Sequence, residues 1–371
     1  MKFTCEKALL VSAISVASRT VAVKSAIPGL EGIHVRAGAK VTLSGYNLET
    51  GITVTLDADI AETGEAVFPA RLFFDIIRKL PDDTVSVSVD ESFKVSIRGG
   101  ISSFSITALS AEDYPELPDV DSQKGIRLPQ KELKAMISGT IFAVSDNMAR
   151  PIHTGIMFEV ENDSITTIAV DGYRLALRRY LPKEEDIGRT LKFVAPAAAL
   201  REVEKILEDV DEPCTFYLGP KHILFTIGDA TLVCRILEGE FLDWRRVLPQ
   251  NNPVVMVTKV SQITDSIERV SLVISEKLKS PVRCCFGNNE ASFRTVSTIG
   301  TASDKCSIAG DGQDLEIGFN SKYLLDALKA VPDEECTLEL INGLSPIVLN
   351  PTDGSRRYSY MVLPVRLKAG E

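Results

Sequence analysis

The sequence predicts an α+β architecture of three similar domains, each with short helices on one face of antiparallel sheet. Two observations carry this. A helix–turn–strand pattern occurs three times at a spacing of about 120 to 127 residues. The residues between the copies alternate with the period of two that marks β-strands. A length of 371 residues allows two to four domains of ordinary size, and a repeat this long is a domain rather than a solenoid unit.

The first copy runs from Pro69 to Leu80, turns at Pro81-Asp82-Asp83 and continues as Thr84-Val85-Ser86-Val87-Ser88-Val89. The second runs from Pro196 to Leu207, turns through Asp209–Pro213 and continues as Cys214–Leu218. The third runs from Ser321 to Val331, turns at Pro332-Asp333-Glu334-Glu335 and continues as Cys336–Leu340. Phe73, Leu200 and Leu324 coincide, as do Ile76, Val203 and Ala327, and Leu80, Leu207 and Val331. This i, i+3, i+7 stripe predicts one buried helix face per copy. An earlier helix also recurs, predicted over Glu6–Ser18, Lys131–Val144 and Ser261–Val273, each followed by a basic connection and a proline. Val41–Ser44, Ile52–Leu56 and Ser164–Val170 alternate as strands, the last ending at the turn Asp171-Gly172. The domains are expected at 1–120, 124–250 and 253–371.

Composition narrows the function classes. Apolar residues are 44% and charged residues 25%, an ordinary globular mix. No apolar run reaches the length of a membrane span, and Met1–Lys7 lacks the build of a signal peptide, so a cytoplasmic protein without a membrane partner is expected. The seven cysteines, with Cys284 and Cys285 adjacent, form no Cys-x-x-Cys pair. They predict reduced thiols rather than a zinc or redox site. There are three histidines, His34, His153 and His222, with no partner motif, and no phosphate-binding Gly-x-x-x-x-Gly-Lys-Ser/Thr loop. Asp171 and Asp243 stand near arginines, which suits salt bridges better than acid catalysis. Neither enzyme, cofactor nor metal is predicted. A binding protein and an unrelated scaffold are left.

The net charge is −10, so binding to nucleic acid requires positive charge segregated onto one surface. The second helices do align cations: Arg78 with Lys205 and Lys329, and Arg71 with Lys322, the middle copy having Ala198 there. The first helices and their connections add Lys24, Arg150 and Lys279 among others. Asp75, Glu202 and Asp326 also align, three residues before the cation. Ion pairs at i, i+3 on a solvated face would account for the same pattern without a polyanion.

Five segments resemble a known family: Met1-Lys2-Phe3-Thr4, Phe68–Ile76, Asp171-Gly172-Tyr173-Arg174-Leu175-Ala176, Asp243-Trp244-Arg245-Arg246-Val247-Leu248-Pro249 and Met361–Leu367. In order, spacing and total length they are similar to the bacterial DNA polymerase III beta subunits, the sliding clamps of replication. The resemblance implies a head-to-tail homodimer whose helices line a central hole and whose sheets form the outer wall. Duplex DNA would thread the hole without sequence readout, facing Lys24, Arg71, Arg78, Arg150, Lys205, Lys279, Lys322 and Lys329. It also implies a pocket for short peptides of the replicative polymerase, the clamp loader and other clamp-binding proteins. Carried over by position, the pocket comprises Val170, Gly172, Tyr173, Arg174, Leu175, Leu242, Arg246, Val247, Met361, Val362, Leu363, Pro364, Val365 and Arg366, with His153 and Gly155 at its edge. Leu175, Val247, Val362 and Leu363 would floor it, and Arg174, Arg246 and Arg366 would bond the peptide at the rim. Leu242 and Tyr173 depart from the proline and histidine common in the family. The implied subunit interface sets Leu72 and Phe104 against Leu272 and Val273, with the strand at 102–107 adding to the neighbour's sheet.

Overall fold

The computed structural model describes residues 1–182, 187, 189–274 and 280–367. The first third of the chain supplies β1 (Lys2–Glu6), α1 (Lys7–Ala17), β2 (Gly32–Ala37), β3 (Val41–Tyr46), β4 (Thr50–Leu56), β5 (Asp59–Glu62), β6 (Gly64–Pro69), α2 (Ala70–Lys79), β7 (Thr84–Val89), β8 (Lys94–Gly99) and β9 (Ser102–Thr107). The middle third supplies β10 (Ile126–Pro129), α3 (Gln130–Ser138), β11 (Gly155–Glu161), β12 (Ser164–Val170), β13 (Arg174–Tyr180), β14 (Leu191–Pro196), α4 (Ala197–Ile206), β15 (Pro213–Leu218), β16 (His222–Ile227) and β17 (Ala230–Arg235). The last third supplies α5 (Trp244–Val247), β18 (Val254–Lys259), α6 (Val260–Ser271), β19 (Val282–Ser297), β20 (Gly300–Phe319), α7 (Ser321–Lys329), β21 (Glu335–Leu340), β22 (Ile347–Asn350) and β23 (Tyr358–Val362).

These strands pair antiparallel in sheets ordered β5-β1-β7-β8-β9, β10-β15-β16-β17-β4-β3-β2-β6 and β14-β11-β12-β13-β23-β22-β21-β18-β20-β19. Two of the sheets therefore run across segment boundaries. Ala230–Cys234 of β17 pairs with Thr50–Val54 of β4, and Arg174–Arg178 of β13 pairs with Tyr358–Val362 of β23. This main-chain bonding governs how the chain partitions. One compact unit is Met1–Leu133 with Ala199–Ile236, the other Lys134–Ala198 with Leu237–Glu371. The middle segment gives β10 and β15–β17 to the first and β11–β14 to the second.

The predicted helix stripe is buried in all three copies: Phe73, Ile76 and Leu80; Leu200, Val203 and Leu207; Leu324, Ala327 and Val331. Within the first unit α1 packs on α2 and on β3 and β4, and within the second α6 packs on α7, β19 and β20. Lys7 Nζ donates to Leu80 O at 2.7 Å and closes the C-terminal end of α2. Asn320 caps α7, its side-chain oxygen accepting from the amides of Lys322 and Tyr323. One helix is shorter than its periodicity predicts. The apolar pattern extends to Val144, yet α3 stops at Ser138 and only a single 3-10 turn, Ile141–Ala143, follows. The main chain tightens there, the amide of Thr140 donating to Ile137 O at 3.1 Å, and the fully buried Thr140 hydroxyl also donates to Met136 O (2.8 Å) and Ile137 O (3.3 Å), a back-bonding that weakens a helix.

Candidate functional site

The candidate site is built on the sheet face where β13 meets β23. Residues opposite one another in an antiparallel pair share a face, so register alone sorts the side chains. Ile168 opposes Leu177, Val170 opposes Leu175, Leu175 opposes Met361, and Met361 opposes Val348. With Met157, Val194, Trp244 and Leu248 most of these form one buried cluster, and Ile152, Leu237, Phe241, Val247 and Leu363 lie half-buried on it. The outcome is an apolar surface with large aliphatic side chains at the water boundary. His153 sits at its margin, edge-on to Phe241 at 5.2 Å between ring centroids.

A tight turn frames this surface. Asp171 Oδ1 accepts from the amides of Tyr173 (2.9 Å) and Arg174 (3.0 Å), which folds the chain back. Gly172 lies between them at φ +92°. A Cβ there would touch nothing within 4 Å, so conformation rather than space calls for glycine. The amide of Leu363 donates to Tyr173 O at 2.8 Å, tying the turn to the segment that leaves β23. Opposite stands α5, a single turn capped by Asp243, which carries Val247 on the cluster and Arg246 in solvent, paired to Asp243 at 3.1 Å.

Several predicted roles need correction. Arg174 does not stand at the rim. Its side chain is 8% exposed, bonded to Asp171 (2.9 Å) and Asp326 (2.6 Å), with its guanidinium 4.5 Å from the centroid of the Tyr323 ring. Val362 does not floor the apolar surface. It opposes Arg174 and Ile347, so it points to the other sheet face, while Met361 and Leu363 point to this one. Gly155, by contrast, does border the apolar cluster: it is a buried strand residue, and a Cβ there would come within 2.9 Å of Leu237 Cδ1 and Val194 Cγ1. Tyr173 stacks on Tyr323 at 5.7 Å and lines a separate cavity of about 780 Å³ together with Asn320 and Lys322. Pro364, Val365 and Arg366 line another hollow of about 510 Å³ with Glu316 and Leu344. Arg246 and Arg366 keep exposed guanidinium groups. Leu242 is 37% exposed beside Phe241 in the connector to α5.

The cations fall into two sets. Arg78 pairs with Asp75 (3.6 Å) and Lys205 with Glu202 (2.7 Å), the i, i+3 pairs foreseen from the alignment. The third copy differs. Asp326 is taken by Arg174, and Lys329 pairs instead with Glu268 at 2.6 Å. Lys24, Arg71, Arg150 and Lys322 are exposed and form no ion pair among the described residues. Lys279 lies outside the described residues. Of the apolar positions expected at a subunit interface, Leu72 is 47%, Phe104 39% and Leu272 81% exposed, and Val273 is half-buried.

Nothing in these groups resembles a reacting constellation. Among the described residues no cluster of His, Cys, Asp or Glu could hold a metal, and no helix is long and apolar enough to cross a membrane. All seven cysteines are free thiols. Burial pushes Cys5 up to about 11 and Cys214 and Cys336 up to about 12, which suppresses the thiolate a nucleophile requires.

Known proteins share this arrangement. Models of the DNA polymerase III beta subunit match end to end: its N-terminal domain over residues 1–118, its central domain over 127–243 and its C-terminal domain over 245–366. The beta sliding clamp of Staphylococcus epidermidis is 31% identical over 377 residues, covering 99% of each chain. The DNA polymerase sliding clamp of Bacillus subtilis matches with a TM-score of 0.93 at 29% identity, over 99% of this chain and 100% of that one. The DNA polymerase beta subunit of Streptococcus pyogenes matches with 0.92 at 27%, over the same shares.

The chain belongs to the DNA polymerase III beta subunit family. Beta clamps are non-catalytic processivity factors of DNA replication, which agrees with a molecule whose candidate site is an apolar surface rather than a set of reactive groups. The three-domain α+β fold is the clamp fold. Sequence reasoning passed over Ile152, Leu237, Phe241 and Trp244, which complete the apolar surface of this clamp. A signal was present: Phe241 and Trp244 are aromatic residues in the stretch 238–246, where Leu242 is the one other large apolar residue, and aromatics in a connector mark an anchor rather than a linker.

Proposed function

We propose that this clamp closes head to tail on a second copy to form a ring that encircles duplex DNA and carries other proteins on the β13–β23 surface. The observation that carries the reading is an unfinished series of strand pairings. β4 pairs β3 and is joined on its far side by β17; β13 pairs β12 and is joined by β23. In the last third of the chain the stretch Gly300–Ser307 of β20 pairs β19 in the same way, and among the described residues no strand joins its far side. At the other end of the chain β9 follows β8 as β17 follows β16, and among the described residues no strand pairs with its far side. Two copies would fill each other's vacancies, β9 of one on β20 of the other. Leu72 and Phe104 would then meet Leu272 and Val273, and exposed strand edges would be covered.

Enclosure suits sliding. A ring needs no tight phosphate contact and no base readout, so scattered cations screened by salt suffice. Lys24, Arg71, Arg150 and Lys322, which carry no ion pair among the described residues, are the groups assigned to the phosphates, with Arg78, Lys205 and Lys329 released from their carboxylates less readily. The apolar surface around Val170, Leu175, Leu242, Val247 and Leu363 is assigned to anchor side chains of partner peptides, with Arg246 and Arg366 for their carbonyl or carboxylate groups.

The test is topological. Clamp placed on nicked circular DNA by a loader should stay through gel filtration and be lost once the circle is cut to a linear form. Equal loss from both would contradict the ring.

A further inference from the structure

The single helical turn that borders the docking surface cannot hold itself in place. Four residues are far below the length at which a helix is stable alone. Its position is set from outside, by the burial of Trp244 and Leu248 in the apolar cluster and by a carboxylate that grips its first half. Glu159 on β11 is 13% exposed and lies on the same sheet face as Met157 of the apolar cluster, two residues away. Its Oε2 accepts from Trp244 Nε1 at 3.2 Å, and Arg245 Nη1 lies 2.9 Å from the same oxygen. The Arg245 guanidinium also covers the Trp244 ring at 4.4 Å, and Lys192, opposite Glu159 on β14, reaches Oε1 at 3.3 Å. Trp244 and Arg245 thus occupy the first half of the turn whose second half presents Arg246 and Val247.

From this geometry we infer that Glu159 is a positioning residue of the docking surface: by gripping Trp244 and Arg245 it sets where Val247 and Arg246 stand for an incoming peptide. The inference rests on the reading of that surface as a peptide site. Burial pushes the Glu159 carboxyl up, but the hydrogen bonds from Arg245 and Trp244 and the charges of Arg245 and Lys192 outweigh it and hold the group below the usual carboxylate range. It is therefore ionised at neutral pH and grips at full strength. The corresponding place in the first segment, set by the same strand pairing, is taken by Arg36, opposite Glu65, and the corresponding aromatic, Tyr114, donates to a main-chain oxygen instead.

The chain has one tryptophan, so emission excited selectively at the indole reports on the surroundings of Trp244, the Glu159 contact among them. Full-length Glu159→Ala and Glu159→Gln would be compared with the parent for Trp244 emission, acrylamide quenching and affinity for a synthetic peptide copied from the clamp-binding segment of the same organism's replicative polymerase. Far-UV circular dichroism serves as the check of folding. Glu159→Ala should shift the emission to the red and weaken the peptide about tenfold, as expected for loss of a charged hydrogen-bonding partner that holds a binding group in place. Glu159→Gln should weaken it only about threefold, because its amide oxygen still accepts from the indole while Arg245 keeps Glu161, at 3.4 Å, as a counter-charge. Emission and affinity within twofold of the parent in both variants would overturn the inference. So would equal losses in the two variants. If the parent itself binds no peptide, the docking reading fails, and the emission measurement still decides whether Glu159 holds Trp244.

Discussion

The two strand seams within the chain start from the same local design and end differently. At the first, Asn47 Oδ1 accepts from the amides of Glu49 (3.0 Å) and Thr50 (2.8 Å); at the second, Asp171 Oδ1 accepts from those of Tyr173 and Arg174. The next residue in each has φ in the left-handed region, Leu48 at +73° and Gly172 at +92°. Each seam is followed by a connector with an aromatic anchor, Tyr114 or Trp244, and an aliphatic residue three positions later, Leu117 or Val247. The divergence is at the floor. Where the second seam has Leu175, the first has Gly51, and Leu117 lies directly over it, so close that a Cβ on Gly51 would be 2.6 Å from Leu117 Cδ2. Leu117 therefore fills its own seam, whereas Val247 rests on a surface already filled by Leu175 and Met361 and leaves apolar area uncovered. A repeated backbone thus becomes closed or receptive through the size of one side chain.

The largest expected effect probes what is special to the second seam. Arg174 is buried between Asp171 and Asp326. Arg174→Met, which keeps the volume and removes the charge, should lower unfolding stability by about 3 kcal/mol in urea titration, because two carboxylates lose their counter-charge. A loss under 1 kcal/mol would mean that water takes over the pairing. Next comes the connector pair. Val247→Asp should weaken a partner peptide by about 100-fold in calorimetry, as removal of a central apolar anchor does. Leu117→Asp at the first seam should leave peptide affinity unchanged and reduce stability instead. Equal effects on affinity would erase the distinction between the seams. The smallest effect separates the glycines. Gly51→Ala should cost about 2 kcal/mol through overpacking against Leu117, and Gly172→Ala only about 1 kcal/mol for a left-handed residue in open space. The reverse order of melting temperatures would show that the first seam is loosely packed.

Local pattern was legible where the chain's neighbours in sequence decide the outcome. The three buried stripes of α2, α4 and α7 followed from apolar spacing, and the strands β7, β15 and β21 from alternation. The early end of α3 was hidden because the tightening of the main chain at Thr140, and the turn of its hydroxyl back to its own helix, leave no trace in the apolar spacing. The fate of Asp326 was hidden for a different reason. Its alignment with Asp75 and Glu202 predicted an intrahelical pair, but its partner Arg174 is 152 residues away in the chain and no periodicity reports such a contact. Seam pairing is equally non-local, so the register of β13 on β23, and with it the burial of Arg174 and the turn of Val362 to the other, buried sheet face, came only from the structure. The apolar surface was partly legible, through the resemblance that named Leu175, Val247 and Leu363. Ile152 and Phe241 join it from segments that are distant in sequence.

The central claim is that the third seam is made between copies. Sedimentation equilibrium with small-angle scattering at micromolar concentration tests it most directly. The expected result is a particle of twice the chain mass with an open centre, which Phe104→Arg or Leu272→Arg converts to single chains. A parent protein that sediments as a single chain, or as a pair with no opening, would contradict it.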